Sequence, residues 1–185
     1  LEIARTLAKR FDLPLYNKSI LQTAAEAKGL NAKELERYDE RPRSLLFYRS
    51  IKGFSNAPED GVAQMQFDLL RRHAAAGESF VVLGRCAEEV LADHECLVSI
   101  FVEADLDFRI RRTPLPGNEA LEFIHKKDRQ RRIYHDQHCK GDWGDAQNYD
   151  LVINSARLGI PGTVDVLEHY IRARQAHLES QSDTI

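Results

Sequence analysis

Apolar residues recur at helical spacing from the first position, where Leu1, Ile3, Ala4, Leu7, Ala8 and Phe11 form one stripe. No Ser, Thr, Asp or Asn precedes that stripe to cap it. The pattern therefore predicts that the chain begins inside a helix and that an N-terminal segment is missing. Leu13-Pro14-Leu15-Tyr16 reads as a strand, and 18–28 as a helix closed by Gly29. Asn31 is placed to cap a short helix over 32–39, and 41–58 reads as irregular, being rich in Arg, Ser, Gly and Pro. A helix follows over 59–76, with Val62, Met65, Leu69 and His73 on its stripe and Gly77 at its end. Phe80-Val81-Val82-Leu83 is a continuous apolar run ended by Gly84, the pattern of a strand buried on both faces. A short helix at 86–91, a strand at 97–102 and a helix at 105–112 come next. Thr113–Gly117 breaks the pattern, and Asn118 is placed to cap a long polar helix reaching 137. A Gly/Asp-rich loop at 138–149 precedes the strand Leu151-Val152-Ile153. Pro161 suits the first position of a last helix, with Val164, Leu167 and Ile171 on one face. The polar tail after His177 reads as frayed.

Strands separated by helices imply βαβ units, a parallel sheet and helices on both of its faces. Such sheets bind ligands beyond the carboxyl ends of their strands. That singles out Asn17 and Lys18, Gly84 and Arg85, Glu103 to Asp105, and Asn154 with Ser155.

Composition narrows the class. A chain of 185 residues suggests one domain with a sufficient core. A net charge of −3 argues against a general nucleic-acid or anionic-membrane binder. No apolar run approaches the length of a membrane span, and the charged first ten residues do not form a signal peptide. Cys86, Cys96 and Cys139 are an odd, widely spaced set, which favours a reducing cytoplasm over a disulfide framework.

Candidate chemistry gathers at a few positions. Arg85, after the most apolar strand, offers a rigid five-donor fork suited to phosphate, or else a surface ion pair. On the long helix, Ile124, Asp128, Arg131 and His135 share a face, so an apolar stripe turns into charge. That change points to a polar site at this end, the alternative being a solvated helix laced with salt bridges. Arg109 and Arg112 share a helix face beside the Pro/Gly break, as arginines that spread phosphoryl-transfer charge do, or as a basic solvated face does. His135, His138 and Cys139 hint at zinc, but no second ligand pair and no fourth ligand follow from the spacing, so no metal site is expected. Cys86 reads as a small packing residue, and Trp143 as the anchor of its loop.

Four stretches together resemble the cytidylate kinase-like proteins of bacteria, within the P-loop nucleoside monophosphate kinases. They are Glu2–Ala8 with Leu13–Lys18; Val81-Val82-Leu83-Gly84-Arg85-Cys86-Ala87-Glu88; Phe101 to Arg112; and Lys127–Arg131 with Asn148–Leu151 and Asn154–Ile160. The resemblance implies a three-layer α/β/α P-loop NTPase fold with a parallel sheet. It also implies a small lid at about 109–135 and an acceptor-binding helical segment at about 30–76. The family's phosphate loop and first strand would lie before residue 1, so no cofactor-binding residue is assigned.

The resemblance implies ATP-dependent phosphoryl transfer to a nucleoside monophosphate, with CMP or dCMP as the expected acceptor and ATP and Mg²⁺ as cofactors. The partners implied are nucleotide substrates, with no nucleic acid and no membrane, in the cytoplasm. Arg109 and Arg112 take the catalytic places in the lid. Asn17, Arg49, Arg85, Asp128 and Arg131 take the substrate-binding places. Asn17 stands where the family more often has Asp. The family's acceptor-phosphate Arg has no counterpart near Thr23, which leaves Arg43 or Arg49 to stand in. Two rival readings remain: a kinase for another small-molecule acceptor, and a nucleotide-binding regulatory module without turnover.

Overall fold

The computed structural model describes residues 1–17, 25, 31, 50–51, 54–55 and 58–182. Helix α1 (Glu2–Arg10) leads into strand β1 (Leu15–Tyr16). Strands β2 (Ser50–Ile51) and β3 (Phe54–Ser55) form an antiparallel pair, where the sequence pattern suggests irregular chain. Helix α2 (Pro58–Ala75) begins one residue before its expected start and precedes strand β4 (Val81–Val82) and the single-turn helix α3 (Ala87–Val90). Strand β5 (Ile100–Glu103), helix α4 (Leu106–Arg111) and helix α5 (Gly117–His138) follow. Strand β6 (Leu151–Asn154) and helix α6 (Ser155–Ser182) complete the order. Of the helix expected over 18–28 only Ala25 is described, helical and buried; the helix expected over 32–39 and the candidates Arg43 and Arg49 lie outside the described residues.

The strands form two parallel pairs. β1 pairs with β4 in the register Leu15–Val81 and Tyr16–Val82. β5 pairs with β6 from Ile100–Leu151 to Glu103–Asn154. Alternation puts Tyr16 and Val82 on one face, where they meet Val62, Met65, Leu69 and Leu70 of α2 with Ala87 and Leu91. The stripe read from the sequence of α2 is thus the stripe it buries. His73, at the end of that stripe, is only half-buried and has a polar neighbour in the Tyr16 hydroxyl at 3.4 Å. On the other strand pair, Ile100, Leu151 and Ile153 pack with Leu7 of α1 and Val164 and Leu167 of α6. Arg10 ties these two helices on their outer side, its Nη1 lying 2.7 Å from Asp165 and 2.6 Å from Glu168.

Several boundaries depart from the pattern. β4 is shorter than its apolar run, and its residues are half-buried with Leu83 40% exposed, not buried on both faces. The chain turns sharply at Gly84, which ends the ladder before the second face can be covered. Pro116 occupies the N-cap position of α5, so Asn118 lies inside the helix. Extended Pro116 leaves Gly117, at φ +44, to open the first turn. α6 breaks its helical geometry at Gly159 and then continues to Ser182, past the point where the polar tail suggested fraying. Arg172 over the Phe11 ring at 4.9 Å and Arg174 on the Glu95 carbonyl fasten its later turns.

Candidate functional site

The carboxyl ends of both strand pairs carry the candidate polar residues. Leu83 N–H donates to the Tyr16 carbonyl at 2.8 Å, which sets Asn17 beside the segment that enters Gly84 and Arg85. Gly84, Arg85 and Cys86 have φ of +73°, +66° and +51°. Three successive residues in the left-handed region form a strained turn, which is uncommon for side chains other than Gly. The turn carries Arg85 and Cys86 inward, each only 4% exposed. Arg85 is thus enclosed in the protein, not standing in an open crevice as its strand-end place suggests.

At the end of β5, Asp105 accepts the Asn154 side-chain amide at 2.7 Å and lies 3.5 Å from Arg157. Ser155 Oγ donates to the Glu103 carbonyl at 2.9 Å. These bonds lock the mouth of β5–β6 and set the start of α4. From α4, Arg109 Nη2 donates to Asp128 Oδ1 of α5 at 2.6 Å. Arg131 Nη1 lies 3.7 Å from the same oxygen. One carboxylate oxygen therefore holds two guanidiniums, one from each helix.

Arg112 leaves that pair and reaches α1, where its Nη2 donates to Glu2 Oε2 at 2.5 Å. Arg112 thus brings a guanidinium to the first turn of α1, where the helix's peptide dipoles also present positive potential. Of the residues singled out in the sequence, Arg109, Asp128, Arg131 and Arg112 come together around this end. Asn17 and Arg85 sit at the mouth of β1–β4.

A second group lies one strand pair away. His135, 5% exposed, brings Nε2 to 3.0 Å from Glu88 Oε1, and the Tyr149 hydroxyl lies 3.5 Å from that oxygen. The Cys86 hydrogen bond, then burial, push the Cys139 thiol pKa up. Burial, then Glu88, push the Tyr149 hydroxyl up. Sequence spacing pairs His135 with Cys139 but does not reveal Glu88, which lies 47 residues from His135. Trp143 stands edge-on to Phe101 at 5.4 Å, the loop anchor it was read to be.

Parallel strand pairs whose carboxyl ends carry Asn17, Arg85 and Asp105, flanked by helices bearing clustered arginines, define a mixed α/β protein. The chain belongs to the cytidylate kinase-like family, whose sequence model matches residues 1–157. The family name is that of a nucleotide kinase. A crystal structure of an uncharacterized protein from Eubacterium ventriosum is similar, with a TM-score of 0.69 and 27% identity. The similarity covers 92% of this chain and 89% of that one. No curated protein matches the chain. No described helix is long and apolar enough to cross a membrane.

Proposed function

We propose that the protein transfers the γ-phosphoryl group of ATP to a nucleoside monophosphate in the cytoplasm, with CMP or dCMP as acceptor and the ATP·Mg²⁺ complex as donor. The observation that carries this reading is the clustering of Arg109 and Arg131 on Asp128, with Arg112 beside them reaching Glu2 at the first turn of α1. The whole domain is then a three-layer P-loop NTPase, with about 109–135 as its lid. Family membership supports both statements.

Phosphoryl transfer asks a protein mainly for positioning and for charge to meet the transferring oxygens. Arg109 and Arg112 meet the donor phosphates. The Asp128 carboxylate fixes the Arg109 fork, so the guanidinium need not reorganise as charge develops. Arg131 sits one turn along α5 from Asp128, free to leave its 3.7 Å contact for an anionic oxygen of the acceptor. Asn17 and Arg49 take the acceptor contacts, and Arg85, enclosed at the end of β4, supports that pocket from within. Closure of the Arg-bearing segment excludes water and suppresses ATP hydrolysis.

The test is ADP formation by the full-length protein with ATP and Mg²⁺, run against each nucleoside monophosphate. ADP formation that depends on a monophosphate is expected, with CMP and dCMP fastest. ADP formation with none of them overturns the proposal.

A further inference from the structure

At the far end of α5 from Asp128, three side chains of different chemistry converge. Glu88 of α3, His135 in the last turn of α5 and Cys139 just beyond it bring one ligating atom each within 4.8 Å of the others. The convergence is built into the fold. Cys139 N–H donates to the His135 carbonyl at 2.8 Å, which continues the helical turn and keeps the two side chains on one face. Glu88 is delivered from α3, which starts at the left-handed Cys86.

We propose that Glu88, His135 and Cys139 bind a zinc ion, with the fourth coordination position facing the adjoining cavity. That cavity has a volume of about 180 Å³ and is lined by all three residues together with Gly141 and Asn148. A carboxylate, an imidazole and a thiolate form a mixed oxygen, nitrogen and sulfur set, which suits zinc. Magnesium and calcium take oxygen ligands, so this site is separate from the ATP·Mg²⁺ chemistry. Tetrahedral zinc with ordinary bond lengths sets its ligand atoms roughly 3.3–3.8 Å apart. The His135–Glu88 separation of 3.0 Å and the 4.8 Å limit on the others bracket that range.

The surroundings supply what zinc ligands need from their neighbours. When Nε2 binds the ion, the imidazole proton moves to Nδ1, which is buried without a hydrogen-bond partner and has Asp136 Oδ1 at 3.9 Å. A carboxylate behind the imidazole is the usual partner of a metal-bound histidine. The Tyr149 hydroxyl donates towards the Glu88 oxygen at 3.5 Å, a ligand that carries negative charge. The ion would pin α3, which follows the Gly84–Cys86 turn, to the end of α5, whose earlier turns hold Asp128 and Arg131. It is a structural clip between the two halves of the candidate kinase site and does not depend on the kinase reading.

Cobalt titration of the reduced, chelator-treated protein tests this. One Co²⁺ per chain should bind, with a near-ultraviolet thiolate-to-cobalt band and the visible bands of tetrahedral cobalt, and an equivalent of Zn²⁺ should bleach both. Cys139→Ser should abolish the near-ultraviolet band and weaken cobalt binding by at least about tenfold, the scale on which such sites respond to lost partners. Alkylation of the unmutated protein avoids any folding defect of the variant. Zinc should slow modification of Cys139 while leaving the exposed Cys96 unchanged. Cobalt spectra without a thiolate band, or alkylation of Cys139 indifferent to zinc, overturn the proposal. So does a reduced protein that binds no cobalt.

Discussion

Arg109 and Asp128, separated by 19 positions, meet at 2.6 Å and join α4 to α5. Asp128 Oδ1 also lies 3.7 Å from Arg131, so removing this carboxylate disturbs two cations together. Asp128→Asn keeps the side-chain shape and loses the charge. A displaced Arg109 should lower kcat by about a hundredfold, the cost of a catalytic group misplaced by roughly 1 Å. Circular dichroism melting should change little, since both partners are partly exposed. An unchanged kcat would remove Asp128 from the site.

Arg131→Lys keeps the charge and loses the planar fork. If Arg131 grips an acceptor oxygen pair, the loss is on the order of 1.5–3 kcal/mol, or roughly ten- to a hundredfold in affinity. Titration calorimetry with CMP reads this directly. Equal affinities for the two proteins would show that Arg131 serves only its ion pair with Asp128.

Gly84→Ala tests the turn that places Arg85. A methyl at this position would meet no atom within 4 Å, so crowding is not the issue. The backbone is at φ +73°, where an L side chain costs about 1–2 kcal/mol. Urea denaturation should show a lower midpoint at unchanged slope. An unchanged midpoint would mean the turn relaxes without cost.

The clasp between α1 and α6 should respond to pH. Arg10, then Arg172, hold the Glu168 carboxyl below its ordinary pKa. A depressed folded-state pKa gives stability that is present above the ordinary carboxylate value and is lost as pH falls through the folded value. Arg10→Ala should therefore melt below the unmutated protein at neutral pH, and the gap should close in acid. High salt should narrow it too, because the pair is exposed and screened. A gap that persists in acid would assign the effect to packing.

Periodicity made the long elements legible. Val62, Met65 and Leu69 on α2, and Ala120 and Ile124 on α5, are buried as their spacing implies. The change from apolar to charged along α5 also marked Asp128 and Arg131, because neighbours three and four apart on one helix are visible in sequence. Contacts across the chain were not. Arg112 reaches Glu2 over 110 positions, and Glu88 reaches His135 over 47. No local pattern encodes such pairs. The cap at Pro116 was missed because extended backbone satisfied the entry to α5 where Asn118 offered the more familiar side chain. The zinc ligands were half-visible. His135 and Cys139 have the i, i+4 spacing of a helical ligand pair, while their partner Glu88 comes from α3, placed by a left-handed turn that only the folded backbone reveals.

Phosphorus NMR of the full-length protein with ATP, Mg²⁺ and CMP tests the central claim most directly. Phosphoryl transfer predicts that CDP and ADP appear in equal amounts, with little inorganic phosphate. ATP that stays intact with CMP and every other nucleoside monophosphate, or that yields only ADP and phosphate, contradicts it.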